Sequence, residues 1–237
     1  MNEKADAAQN ISKDFPIVAI GASAGGVEAI TELFKHVAPD TGMAFVYVQH
    51  LDPNFPSKLT EIISRVTKMN VVEAKNLMPL EPNSVYIIPP NKEMGLQNGD
   101  LILNARKEDG YARMPIDHFF ISVSQNHDKG VIGIILSGTA SDGTLGLRAI
   151  KSVGGISFAQ DDSAQFQSMP RSAVSEGAVD MVLSPKQMAI ELERLSKQKN
   201  LLLEVAREDG TKIKDDEEGD LKAILHLLKK STSVDFI

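Results

Sequence analysis

The sequence contains no cysteine and no tryptophan, and only 5% of its 237 residues are aromatic. Without cysteine there are no disulfides, no thiol nucleophile and no cysteine metal site, which agrees with a cytoplasmic location. With so few aromatic rings, aliphatic side chains must fill the core, and an apolar content of 42% is enough for that. No apolar run approaches the ~18 residues that a membrane span needs. Met1 to Asp14 is polar and lacks the apolar centre of a signal peptide. No membrane insertion is therefore expected. A basic stripe is also missing. The net charge is −7, and Glu204 to Asp220 alone carries −5 of it. No nucleic-acid partner is expected from such a distribution. There is no H-E-x-x-H and no paired-histidine spacing, so neither a metal nor another cofactor is expected.

What the chain does have is Pro16-Ile17-Val18-Ala19-Ile20-Gly21-Ala22-Ser23-Ala24-Gly25-Gly26. An apolar, β-branched run ends in a turn of small residues that carries one serine. A helical pattern follows, with Val27, Ile30, Leu33, Phe34 and Val37 on one face. Residues 21 to 25 read G-x-S-x-G, the pattern of a sharp strand-to-helix turn that exposes a serine hydroxyl. The helix N-terminus beneath it offers unpaired N–H groups to a developing negative charge. Two other readings compete. A dinucleotide-binding turn wants glycine where Ser23 stands, and an acidic residue about 20 residues on. This chain has Gln49-His50 at that point. A helix-capping serine with no chemistry is the other.

Further strands are expected at Gly42 to Gln49, Asn70 to Glu73, Val131 to Leu136, Gly155 to Ala159 and Met181 to Leu183. Helices are expected from Ser57 to about Val66, at Ile116 to Gln125, from Gly143 to about Val153, at Ser168 to Glu176 and at Pro185 to Lys199. Residues 78 to 104 differ. Four prolines punctuate them, Val85 to Ile88 reads as a short strand, and Asn98-Gly99 lies between apolar runs as a hairpin signal. This stretch is read as an antiparallel appendage. The fold class expected is α/β: a three-layer, doubly wound, mostly parallel sheet with an antiparallel hairpin appendage. In such sheets sites lie at the carboxyl ends of the strands.

Three polar residues fall at those ends: Ser23, His50 and Asp142. A serine hydroxyl needs a base whose pKa is near working pH, and imidazole is that base. The imidazole needs an acceptor that fixes its tautomer. His36, His118, His127 and His226 fit this role less well by position. Taken alone, His50 reads as a structural histidine and Asp142 as a helix cap. Their joint placement favours a catalytic triad. Asp161-Asp162 reads as a loop pair.

Gly21 to Gly26, Val48 to His50 and Leu136-Ser137-Gly138-Thr139-Ala140-Ser141-Asp142-Gly143 resemble three signature blocks of the chemotaxis receptor methylesterase (CheB) family. Ser168-Met169-Pro170-Arg171-Ser172-Ala173 resembles a fourth, and the likeness spans about Phe15 to Leu195. The resemblance implies hydrolysis of glutamyl methyl esters on methyl-accepting chemotaxis receptors, with glutamine deamidation as a second activity. It implies catalysis by Ser23, His50 and Asp142, and oxyanion binding by the backbone N–H groups of Ala24 and Thr139. Many family members carry Met-Gly-Asn-Asp where this chain has Thr139-Ala140-Ser141-Asp142. A docking module without catalysis is the alternative reading. Met114 to Phe120 is similar to a branch in which esterase and receptor methyltransferase (CheR) modules share one chain. Four regions are thus expected: a disordered leader at 1–14, the catalytic domain at 15–199, an acidic linker at 200–220, and at 221–237 the opening helix of a following, truncated domain.

Overall fold

The structure is a computed structural model that describes residues 15–51, 57–105, 114–127 and 130–208. The expected leader at 1–14 and the helix at 221–237 lie outside the described residues, as does most of the expected linker. In chain order the elements are β1 (Ile17–Ala22), α1 (Gly26–His36), β2 (Ala44–Gln49), α2 (Leu59–Ser64), β3 (Asn70–Glu73), β4 (Met78–Pro79) and β5 (Ser84–Ile87). Then come β6 (Lys92–Gln97), β7 (Asp100–Ala105), α3 (Pro115–Asn126), β8 (Val131–Ile135), α4 (Thr144–Ser152), β9 (Ile156–Gln160), α5 (Ser168–Ser175), β10 (Met181–Leu183) and α6 (Pro185–Glu208). The chain divides into two units, Met1–Leu192 and Glu193–Ile237, with the division inside α6. Among the described residues, the first unit holds β1 to β10 and α1 to α5.

Seven strands form one parallel sheet in the order β10-β9-β8-β1-β2-β5-β3. Every residue of β1 and of β8 is buried, as continuous apolar runs covered on both faces require. One face carries α3 and α4. A side chain at Gly21 would collide with Ile116 of α3, and one at Gly133 with Leu147 and Ile150 of α4. The opposite face carries α1, whose Phe34 meets Phe45 of β2 edge to face at 5.6 Å between ring centroids. Helices on both faces of a parallel sheet make the three-layer, doubly wound arrangement that the sequence predicts.

β4, β7 and β6 form a separate antiparallel sheet. Asn98 (φ 52°) and Gly99 (φ 77°) turn the β6–β7 hairpin, and two positive φ values in a two-residue loop are the geometry that Asn-Gly favours. This sheet is fixed to α3 through Ser122, whose hydroxyl accepts the Leu96 N–H at 2.9 Å and donates to the Leu96 carbonyl at 3.2 Å. The appendage is smaller than expected. Val85 to Ile87 belongs to β5, which pairs in parallel with both β2 and β3 and so stands inside the main sheet. Burial decides this: all four residues of β5 are buried, and only the main sheet offers cover on both faces. α6 also runs past Lys199, through Glu208. Among the described residues, no helix is long and apolar enough to cross a membrane.

β1 is central. The chain leaves it on one side to build β2, β3 and β5, and later fills the other side with β8, β9 and β10. The reversal creates a crevice at the carboxyl ends of β1 and β8.

Candidate active site

Ser23 follows β1 in the turn that opens α1, and its residue is half-buried. The turn is sharp because Gly25 adopts φ 70°, a left-handed conformation that glycine enters freely. A side chain there would also meet the Ser137 hydroxyl oxygen at 2.6 Å. Three hydrogen bonds hold the turn from outside, and a fourth braces Ser137. Ser23 N–H donates to the Ser137 carbonyl at 3.0 Å, and the buried Ser137 hydroxyl donates to the Ala24 carbonyl at 2.8 Å. That hydroxyl also accepts the Phe166 N–H at 3.0 Å. The Gln49 side-chain amide donates to the Ser23 carbonyl at 3.5 Å. Gln49 is itself oriented by the Tyr47 hydroxyl, which donates to its Oε1 at 2.7 Å. Burial pushes the Tyr47 hydroxyl far above its ordinary pKa, so it stays protonated and remains a donor.

His50 lies just past β2, with its side chain 31% exposed. Its Nδ1 stands 3.4 Å from Ser23 Oγ, and its Nε2 stands 2.7 Å from Asp142 Oδ2. Asp142 is fully buried in the loop between β8 and α4. Its Oδ2 also accepts the Ile116 N–H at 3.0 Å, and its Oδ1 accepts the Asp117 N–H at 2.9 Å. Both donors belong to the first turn of α3, where backbone N–H groups have no partner inside the helix. The positive end of the α3 dipole thus faces the carboxylate. Two ring nitrogens bridging a hydroxyl and a carboxylate can move a proton away from the hydroxyl.

Ser23, His50 and Asp142 therefore lie in one hydrogen-bonded line. The N–H groups of Ala24 and Thr139 donate no hydrogen bond among the described residues. Thr139 is exposed, and its neighbour Ala140 sits at φ 65°, an unusual left-handed conformation for alanine that re-aims this loop. The other histidines stand apart. His36 pairs with Glu32 at 3.0 Å, His127 bonds the Phe15 carbonyl at 2.9 Å, and His118 lies on α3 beside Gly95. His226 lies outside the described residues. Asp162 pairs with Arg171 at 3.0 Å, while Asp161 accepts the Ser163 N–H. Among the described residues, no group of three His, Cys, Asp or Glu side chains could hold a metal ion.

Two participants gave little sign in the sequence. Ser137 looked like one small residue among several in its loop. Asp117 looked like an ordinary acid in the first turn of a helix, yet it is only 4% exposed. Its one available signal was position: it sits inside the otherwise apolar run Pro115-Ile116-Asp117-His118-Phe119-Phe120. Burial raises the Asp117 carboxyl above the usual range, and the charge of Asp142 adds to that, against N–H donors from Gly146, Gly143 and Leu145.

Comparison with known proteins gives these observations a family. Residues 18–192 match the CheB methylesterase family. A protein-glutamate methylesterase/protein-glutamine glutaminase of Photorhabdus laumondii is 35% identical over 179 residues, which cover 73% of this chain and 51% of the relative. A Leptospira interrogans protein, named as a putative enzyme of the same kind, is 30% identical over 178 residues, covering 74% of this chain and 92% of the relative. The chain thus spans about half the length of the Photorhabdus relative and nearly all of the Leptospira one. The crystal structure of the Thermotoga maritima CheB methylesterase catalytic domain superposes with a TM-score of 0.71 at 29% identity, covering 76% of this chain and 98% of that one. This chain belongs to the CheB methylesterase family.

Proposed function

We propose that this chain is a protein-glutamate methylesterase that hydrolyses glutamyl methyl esters on chemotaxis-type receptors, with Ser23, His50 and Asp142 as its triad. The observation that carries the reading is the line of hydrogen bonds from Ser23 Oγ through His50 to Asp142, at 3.4 and 2.7 Å. His50 Nδ1 takes the proton as Ser23 Oγ attacks the ester carbonyl. The reactive neutral tautomer carries its proton on Nε2, donated to Asp142. The ring is thus used the opposite way round from the serine-protease pattern, in which Nε2 faces the serine. The buried Asp142 carboxylate stabilises the imidazolium that forms. The N–H groups of Ala24 and Thr139 receive the oxyanion.

As the tetrahedral intermediate collapses, the imidazolium returns its proton to the departing methoxide, methanol leaves, and an acyl-enzyme remains on Ser23. Water, deprotonated by His50, then attacks the acyl carbon and releases the glutamate side chain. Glutamine deamidation follows the same path with ammonia leaving in place of methanol. No step calls for a metal or another cofactor.

The partners proposed are the receptor, as protein substrate, and a covalently linked methyltransferase module in a longer chain. The second rests on the Met114 to Phe120 stretch. The absence of cysteine suits work in the reducing cytoplasm. The deciding experiment is methanol release from a methylated receptor fragment, with wild type beside Ser23→Ala. The wild type should release methanol and the variant should not. A folded wild type that binds the receptor and releases none would make this chain a docking module.

A further inference from the structure

We infer that Asp117 is a positioning residue for Asp142, holding that carboxylate against His50 by fastening the first turn of α4. The inference rests on the hydrolytic reading above and extends it to a residue outside the triad.

The two carboxylates cap each other's helices. Asp142 precedes α4, yet its oxygens accept N–H groups from the first turn of α3. Asp117 belongs to α3, yet its Oδ1 accepts the Gly146 N–H of α4 at 2.7 Å. Each side chain crosses to the neighbouring helix, so the two N-termini are locked as a pair. The helices have no slack in which to slide. A side chain at Gly146 would come within 2.4 Å of Phe120 Cβ and 3.2 Å of the Asp117 backbone.

Asp142 needs this lock. Its Oδ2 serves Ile116 N–H and His50 Nε2 at once, which is possible in a narrow range of carboxylate rotations. A displacement of about 1 Å in a reacting group can cost roughly a hundredfold in rate. The residues just before Asp142, Thr139 to Ser141, are exposed, so Asp142 depends on the α4 side for its hold. Asp117 supplies the anchor there. A plain cap would be met by serine or asparagine without burying a second acid beside the first. The buried carboxylate at position 117 accepts the Gly146 N–H at 2.7 Å, and so holds the first turn of the helix that follows Asp142.

The test compares wild type, D117N and D117A as full chains. The first readout needs no substrate: the low-field proton NMR resonance of the imidazole N–H that His50 donates to Asp142, measured with melting temperature alongside. The second is kcat and KM for methanol release. In D117A the resonance should move upfield and broaden, and kcat should fall about tenfold to a hundredfold with KM within about twofold. D117N keeps an acceptor for Gly146 but loses the negative charge that strengthens that bond, so it should show the same changes in smaller measure. If D117A does not fold, D117N decides: a shifted resonance supports the inference and an unmoved one overturns it. A resonance and kcat unchanged in folded variants overturn it whatever happens to melting. A wild type without the resonance overturns it as well. A wild type that shows the resonance but releases no methanol overturns the proposed reaction alone, since the resonance comparison still decides the role of Asp117.

Discussion

Asp142, just before the first turn of α4, and Asp180, beside its last, are each gripped by three hydrogen bonds, but only Asp180 has a cation among its partners. Asp180 accepts from the Ser157 N–H at 2.9 Å, from the Ser157 hydroxyl at 2.8 Å and from Lys151 Nζ at 2.7 Å. Its side chain is 38% exposed. Burial works to raise its carboxyl, but hydrogen bonds from Lys151 and Ser157 and the Lys151 charge together bring it below the usual range. This ion pair ties α4 to β9 and to the turn before β10. Asp142 is fully buried and meets backbone N–H groups and an imidazole. Its counter-charge arrives only when His50 takes a proton. A buried carboxylate without a resident cation is costly as a structural element. In the proposed reaction it is the acceptor for a transient imidazolium and acts when charge develops, which is where stabilisation accelerates a reaction.

The comparison breaks most sharply at Asp142. D142A should lower kcat for methanol release by roughly four orders of magnitude, because the imidazole loses the group that fixes its tautomer. It should also destabilise the fold by about 1–3 kcal/mol, since the Ile116 and Asp117 N–H groups lose their acceptor. Kinetics and thermal melting on one preparation separate the two losses.

Ser137→Ala tests the serine side of the site. It strands the Ala24 carbonyl and the Phe166 N–H, at a cost of about 1–3 kcal/mol. For a domain near this size, that lowers the melting temperature by roughly 2–12 °C. A loosened turn should lower kcat as well. An unchanged melting temperature would mean that water replaces the hydroxyl at no cost.

The smallest effect belongs to Asp180. D180N should leave kcat and KM as in wild type, and it should cost at most about 1 kcal/mol, because the pair is partly exposed. Its sign with pH is fixed. A carboxyl depressed on folding adds stability that is full above its unfolded pKa and lost as pH falls through its folded one. The gap in melting temperature between wild type and D180N should therefore close on acidification. The raised carboxyl of Asp117 gives the opposite slope. Its titration removes stability as pH rises from the usual carboxylate range to its raised value. Melting curves of D117N and D180N from acid to neutral pH should diverge from wild type in opposite directions.

Much of this site was legible because its signals are local. A β-branched run ending in Gly-Ala-Ser-Ala-Gly carries its turn in its own residues, and His50 and Asp142 each follow a buried strand. The doubly wound sheet was legible for the same reason, as apolar runs alternate with helical spacing. What stayed hidden depends on contacts distant in sequence. β5 is four residues long, and nothing within it says that its neighbours are β2 and β3 rather than the hairpin after it. Asp117 resembles any acid placed to suit a helix dipole until its partner, the N-terminus of another helix, is in view. Asn200 to Glu208 opens the stretch that reads as an acidic linker, yet α6 continues through it.

In the proposed reaction a buried carboxylate activates Ser23 through His50. A serine-directed phosphonofluoridate with intact-mass and peptide mapping reads that activation without any receptor. The account predicts one adduct per chain, on Ser23, formed quickly by wild type and D180N and at least a hundredfold more slowly by D142A. Equal labelling rates in all three proteins, or an adduct on another residue, would contradict it.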